Sequence, residues 1–193
     1  MFSRQSFLAI FFIAFSSSAR ATFIGFDNLP NGTVVTNQYA GVVFSSSVGA
    51  ENRAYTYPTA HSLSNILCSF PLAGEGGCVD PTIIDFLIPV SGLSLWAIEP
   101  NNPGLAAHVK VIHNFGVNTS NLSFNGLNGP GNKFIDLTAF LAVTRVELTI
   151  DSNELSFAGV GWDSIQYEAV PEPGLLSSLV AAFLIFSRRK RIQ

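Results

Sequence analysis

Several short stretches of this chain alternate between apolar and polar side chains. From Val143 to Ile150, Val146, Leu148 and Ile150 share one parity, and Arg145, Glu147 and Thr149 hold the other. A period of two marks a strand with one buried face. His108-Val109-Lys110-Val111 and Ser164-Ile165-Gln166-Tyr167 repeat the pattern. Gly41-Val42-Val43-Phe44 and Leu93-Ser94-Leu95-Trp96 add two more strands. Ile83-Ile84-Asp85-Phe86-Leu87-Ile88 is more continuously apolar and predicts a strand covered on both faces.

Turn chemistry separates these runs. Pro30-Asn31-Gly32, Pro100 to Gly104, Asn125-Gly126 and Asn128 to Gly131 are rich in the residues that reverse a chain. No stretch between residues 22 and 169 keeps a period of 3.6, although Leu137 to Val143, with Ala139 and Ala142, predicts a short helical turn. Short strands with frequent turns predict an all-β fold, an antiparallel β-sandwich of the jelly-roll type. Its 148 residues are enough to bury a sizeable core.

The two ends read differently. Residues 1–21 carry Arg4, an uncharged apolar run from Phe7 to Phe15, and then Ala19-Arg20-Ala21. This is the three-part order of a secretory signal peptide, with cleavage expected between Ala21 and Thr22. Residues 170–193 hold a Pro-Glu-Pro break, an uncharged run from Leu175 to Phe186 and four cations, Arg188, Arg189, Lys190 and Arg191. The cations act as a membrane stop and belong on the cytoplasmic side, so the body is expected outside the cytoplasm. Gly174 to Ser187 is 14 residues, about 21 Å of helix, against a hydrocarbon core of about 30 Å. Such a transmembrane helix is short and needs local thinning of the bilayer.

Pro171-Glu172-Pro173, a short apolar segment and an arginine-rich end together resemble the PEP-CTERM sorting signal of Gram-negative bacteria. The resemblance implies recognition of Pro171, Glu172 and Pro173 by an exosortase-like processing enzyme, and export in company with exopolysaccharide. It implies a protein first anchored in the inner membrane, then placed at the cell surface or outside the cell. A glycosylphosphatidylinositol signal is the eukaryotic alternative, and it normally lacks the basic end.

A second resemblance concerns the body. Phe23-Ile24-Gly25-Phe26-Asp27, Gly32-Thr33-Val34 and Gln38 to Phe44 look like the opening of jelly-roll domains in exported bacterial proteins. Gly161 to Tyr167 resembles their last strand. Those domains are similar to galactose-binding-like carbohydrate modules, which implies a fold rather than an activity.

Charge narrows the list of partners. The net charge of the whole chain is −3, but residues 22–169 hold only four of the basic residues and twelve of the thirteen acidic ones, a formal charge of −8. A surface of that sign excludes a nucleic-acid-binding body and a polyanion held by charge.

Candidate chemistry is sparse. Cys68 and Cys78 are the only cysteines, and an exported protein is expected to join them in a disulfide. His61, His108 and His113 form no motif and read as surface or loop histidines. No Gly-x-Ser-x-Gly elbow and no His-Glu-x-x-His helix occurs. Gly74-Glu75-Gly76-Gly77 lacks the lysine of a phosphate loop and reads as a turn. Asn31, Asn118 and Asn121 head N-glycosylation patterns, which matter only in a eukaryote. If the first and last strands pair, Asp27 and Asp163 meet at one sheet edge, where calcium is the metal such oxygens would take. No other cofactor is required.

Tyr55 and Tyr57 share parity in a polar stretch and are the candidate ligand-binding rings, since a pyranose stacks its C–H surface on such rings. Trp96 and Trp162 have apolar neighbours and are assigned to the core. The sequence therefore describes an exported, non-catalytic envelope or matrix protein that binds exopolysaccharide. A carbohydrate-active hydrolase or lyase on the same fold is the alternative.

Overall fold

The computed structural model describes residues 21–46, 49–71, 78, 81–98, 106–113, 119–124, 132–151 and 160–170. The signal segment up to Arg20, the Pro171-Glu172-Pro173 motif, the apolar segment after it, the basic end and the Gly74–Gly77 stretch lie outside these residues. So do Asn118 and the Asn125–Gly131 turns.

The described body, Ala21–Val170, is one compact unit. Its strands are β1 (Ala21–Ile24), β2 (Val42–Ser46), β3 (Ala50–Thr56), β4 (Asn65–Pro71), β5 (Thr82–Ile98), β6 (Ala106–His113), β7 (Thr119–Phe124), β8 (Lys133–Asp136), β9 (Val143–Asp151) and β10 (Gly161–Ala169). Every pairing among them is antiparallel. The described fold is an all-β, jelly-roll sandwich.

The architecture turns on β5, which serves both layers. Its first half pairs with β2 and β9, and its second half pairs with β10 and β8. One layer thus runs β2-β5-β9-β6-β7, and the other runs β3-β4-β10-β5-β8. The register on β9 slips between Asp85 and Val90, where the strand passes from one layer to the other. Strands that change sheets do so at such irregularities. The sequence reading expected two strands here, Ile83–Ile88 and Leu93–Trp96. They are one, because Pro89-Val90-Ser91-Gly92 stays paired to β10 instead of turning back. Leu87 and Ile88 sit at this switch and are exposed, which corrects the expectation of a run covered on both faces.

Between the layers lies one core. Val42 and Phe44 of β2, Ile84 of β5, Val146 and Leu148 of β9 and Val109 and Val111 of β6 face Leu67, Leu93, Leu95, Ile135, Trp162 and Ile165 of the other layer. The alternation read from residues 108–111 and 143–149 is the alternation of burial. Outward-facing partners on the first layer pair by charge. Arg145 donates to Asp85 at 2.6 and 3.1 Å, and Lys110 to Glu147 at 2.9 Å. Leu137 to Ala142 forms a tight turn rather than a helix, with Phe140 N–H on the Leu137 carbonyl at 3.0 Å. The Asp136 carboxylate caps this turn by accepting from Thr138, so the chain reverses into β9 before a helix can propagate.

Candidate functional site

The outer face of the β3-β4-β10-β5-β8 layer carries a row of aromatic rings. Register places Tyr55 beside Ile66, Asp163 beside Trp96, and Trp96 beside Phe134. Leu67 pairs with Trp162, so Ile66 falls next to Asp163. One row therefore crosses five strands from Tyr55 to Phe134, a span of about 19 Å at the usual strand spacing. The two ends of the row are open: Tyr55 is 40% exposed and Phe134 is 49% exposed. The middle is closed by the Tyr57–Ser64 loop, which joins β3 to β4.

That loop sits at a junction. β4 and β1 share one edge of β10, β4 at Trp162 and β1 from Ile165 to Glu168. Between those contacts β10 bulges, with a register shift between Asp163 and Gln166 and a φ of 51° at Ser164. Consecutive side chains of a regular strand point to opposite faces, but here Asp163 and Ser164 both reach the same loop. Asp163 accepts Ser62 N–H at 2.7 Å, Ser62 Oγ at 3.0 Å and its neighbour Ser164 N–H at 2.6 Å. His61 Nδ1 lies 2.9 Å from Ser164 Oγ, and its ring stacks on Trp96 at 3.9 Å. The positive φ at Ser164 is strained for a non-glycine residue. It is held by the carboxylate, which accepts the Ser164 amide.

Asp27, after β1, holds the other end of the loop. Its Oδ1 accepts Ser64 N–H at 2.8 Å and Asn65 N–H at 2.9 Å. The structure thus brings Asp27 and Asp163 onto one loop, with β1 and β10 paired. Their neighbours there are N–H and O–H donors, which occupy the lone pairs that a cation would use. Among the described residues no group of three His, Cys, Asp or Glu side chains is placed to hold a metal ion.

The two acids shift in opposite directions. For Asp27, burial raises the pKa, but hydrogen bonds from Ser62, Ser64 and Asn65 outweigh it and the net pKa falls below 3.8. For Asp163, which has no exposed surface, burial dominates and lifts the carboxyl above 3.8 despite its donors. Beside them, burial and then the Asp27 charge push the Tyr39 phenol up to about 12. It stays a hydroxyl and donates to Asn28 Oδ1 at 2.7 Å.

Tyr55 and Tyr57 do lie together on the outer face. Tyr55 packs against Phe70 with ring centres 5.5 Å apart. Tyr57 is half-buried against Ile66, Cys68, Cys78 and Ile98. Burial and then the nearby Tyr55 raise the Tyr57 pKa. Arg53 and Glu51, of the same parity as Tyr55, form an ion pair on this face. Cys68 and Cys78 are joined in a disulfide that lies beneath these rings.

Trp162 is in the core, as its neighbours predicted, but Trp96 is not. It stands on the outer face, half-buried under His61 and 5.3 Å from Phe134. Its apolar neighbours in sequence, Leu95 and Ala97, face the core, and the strand period turns Trp96 the other way. His113 is also corrected: it is half-buried at the end of β6, and its Nδ1 is buried without a hydrogen-bond partner among the described residues. Sequence reasoning passed over Phe134 and Phe70 as surface rings; His61 lies on a loop as read, but its stacking on Trp96 was not foreseen. Alternation along Lys133-Phe134-Ile135-Asp136 carried the signal for Phe134.

The His61–Ser164 pair has the composition of a nucleophile and its base. Ser164 is buried, however, and the Ser62 and Ser164 amides beside it are spent on Asp163, so neither is left to steady an oxyanion.

No protein-family model matches this chain, and no curated protein matches it. Among solved structures, it is similar to the CBM22-1 xylan-binding domain from Paenibacillus barcinonensis Xyn10C. The alignment covers 82% of this chain and 99% of that one, at 11% identity and a TM-score of 0.42.

Proposed function

We propose that this is an exported, non-catalytic envelope or matrix protein whose sandwich binds exopolysaccharide through the outer face of its β3-β4-β10-β5-β8 layer. The observation that carries the reading is the row that ends in the open rings of Tyr55 and Phe134, with Phe70, Tyr57, Trp96 and His61 packed behind them. Rings supply flat apolar area at low entropic cost, and Arg53, Glu51 and the tyrosine hydroxyls supply the polar contacts that sugar hydroxyls need. The rings are fixed by packing, so little ordering is required on binding. The body's charge of −8 favours a neutral polymer over an acidic one. Sorting through Pro171, Glu172 and Pro173, by an exosortase-like enzyme in the membrane, is part of the same proposal and rests on the sequence alone.

Native affinity electrophoresis in gels containing neutral polysaccharides tests the binding surface. Migration is expected to slow in at least one polymer, and Tyr55→Ala and Phe134→Ala are each expected to restore it. Retardation unchanged by both substitutions would move the site elsewhere. Mass spectrometry of the C-terminal peptide from native membrane and medium fractions tests sorting. A chain ending near Pro171–Pro173 is expected, and an intact Gln193 in both fractions would refute processing.

A further inference from the structure

The end of the sandwich from which the chain departs is apolar. Val170 N–H donates to the Pro89 carbonyl at 2.9 Å, so the chain leaves the domain at the switch in β5. Next to Pro89, Leu87 is 69% exposed and Ile88 is 42% exposed. Val143 pairs with Val90 at the same end, and two residues before it Leu141 is 57% exposed. Three of the large apolar side chains on the described surface are therefore gathered around one exit. The ion pairs Arg145–Asp85 and Lys110–Glu147 lie further along the strands, and among the described residues the acids near the exit are Glu168, beside Gly92, and Asp136, turned onto Thr138.

Covalent geometry says what this end must face if residues 174–187 enter a bilayer. Val170 and Leu175 are five peptide units apart, at most about 18 Å of extended chain. An interfacial zone of about 6 Å lies outside each side of the hydrocarbon core. A domain on so short a tether keeps its exit end within about 12 Å of the outer limit of the headgroups, near enough for an apolar end to dock there.

We propose that this end is a membrane-contact surface, in which Leu87, Ile88 and Leu141 enter the interfacial zone of a zwitterionic bilayer. The inference rests on the reading of the C-terminal segment as a membrane anchor. The acids at the exit disfavour an anionic surface, so the contact is apolar rather than electrostatic. The contact would hold the sandwich in one orientation and present the β3-β4-β10-β5-β8 face sideways to the cell envelope.

The test uses the full chain in phosphatidylcholine vesicles, with its disulfide kept oxidised. An environment-sensitive fluorophore is placed at Leu87→Cys and, in a second sample, at Leu63→Cys in the Tyr57–Ser64 loop. The expected result is co-flotation of both samples, with a blue-shifted emission quenched by brominated lipid at position 87 only. Co-flotation with water-like emission at position 87 would overturn the contact and leave the anchor standing. Failure to co-float would overturn the anchor, and the contact with it. Equal quenching at both positions would also overturn it, since that result means non-specific adsorption.

Discussion

Removing the Asp163 carboxylate should release the Tyr57–Ser64 loop. In Asp163→Ala the Ser62 and Ser164 amides lose acceptors at 2.7 and 2.6 Å. The Ser62 hydroxyl keeps the Gly25 carbonyl at 2.9 Å and is not orphaned. A buried donor left unmet costs about 1–3 kcal/mol, so two set a scale of about 2–4 kcal/mol after the loop relaxes toward water. For a domain of this size that is roughly 5–12 °C in Tm. Asp163→Asn keeps the shape and serves one amide, so its cost should be about half, near 1–2 kcal/mol. The pH dependence has a definite sign. The folded pKa of Asp163 is raised above 3.8. Its contribution is therefore fully present below 3.8 and is lost as pH rises through the folded value. The stability gap between wild type and Asp163→Asn should be wider at pH 4 than at pH 7. Urea denaturation followed by circular dichroism gives the gap at each pH, and hydrogen exchange reports the Ser62 and Ser164 amides. An unchanged Tm in Asp163→Ala, with those amides still protected, would refute the anchoring role. A gap that widens toward neutral pH would refute the sign.

Gly161→Ala should destabilise by about 1–3 kcal/mol, because an added Cβ would stand 2.3 Å from Ile66 Cδ1 and 3.2 Å from its Cγ1. Ile66→Ala in the same chain should recover part of that loss, and a strictly additive double mutant would contradict the clash. Reducing Cys68–Cys78 should lower stability by about 2–3 kcal/mol for so short a loop, and equal urea midpoints with and without reductant would argue otherwise. Asp27 runs opposite to Asp163: its folded pKa is lowered, so its contribution is present above 3.8 and lost as pH falls through the folded value. Asp27→Asn should therefore cost more at pH 7 than at pH 3, and the reverse order would refute it. Calcium should leave Tm unchanged, since donors surround both acids; a calcium-dependent rise would show that the loop re-forms around the ion.

The period of two, read along Val143–Ile150 and His108–Val111, was enough to identify strands and their buried faces. Burial acts on alternate side chains wherever a strand covers a core. Cysteine count and the expectation of export were likewise enough to anticipate the Cys68–Cys78 pair. The same local logic failed where neighbours in space override neighbours in sequence. Trp96 has apolar flanks yet faces outward, because parity and not composition assigns its side. β5 runs through Pro89 and Gly92, because β10 takes up its pairing from Val90 onward where β2 and β9 leave off. Neither β4, which carries Phe70, nor the four-residue β8, which carries Phe134, was read as a strand, so both rings stayed hidden as partners of Tyr55 and Trp96. The bulge at Ser164 is the clearest case. A strict alternation sends Asp163 and Ser164 to opposite faces, and only the junction of β1, β4 and β10 gives a reason to turn both onto one loop. The sequence by itself determined the fold class, the acidic charge of the body and the residue composition of the two ends. The tertiary structure alone decided which rings stand together, which acids hold a loop and which end of the sandwich is apolar. Those properties depend on pairings between strands far apart in the chain, and a local pattern does not encode them.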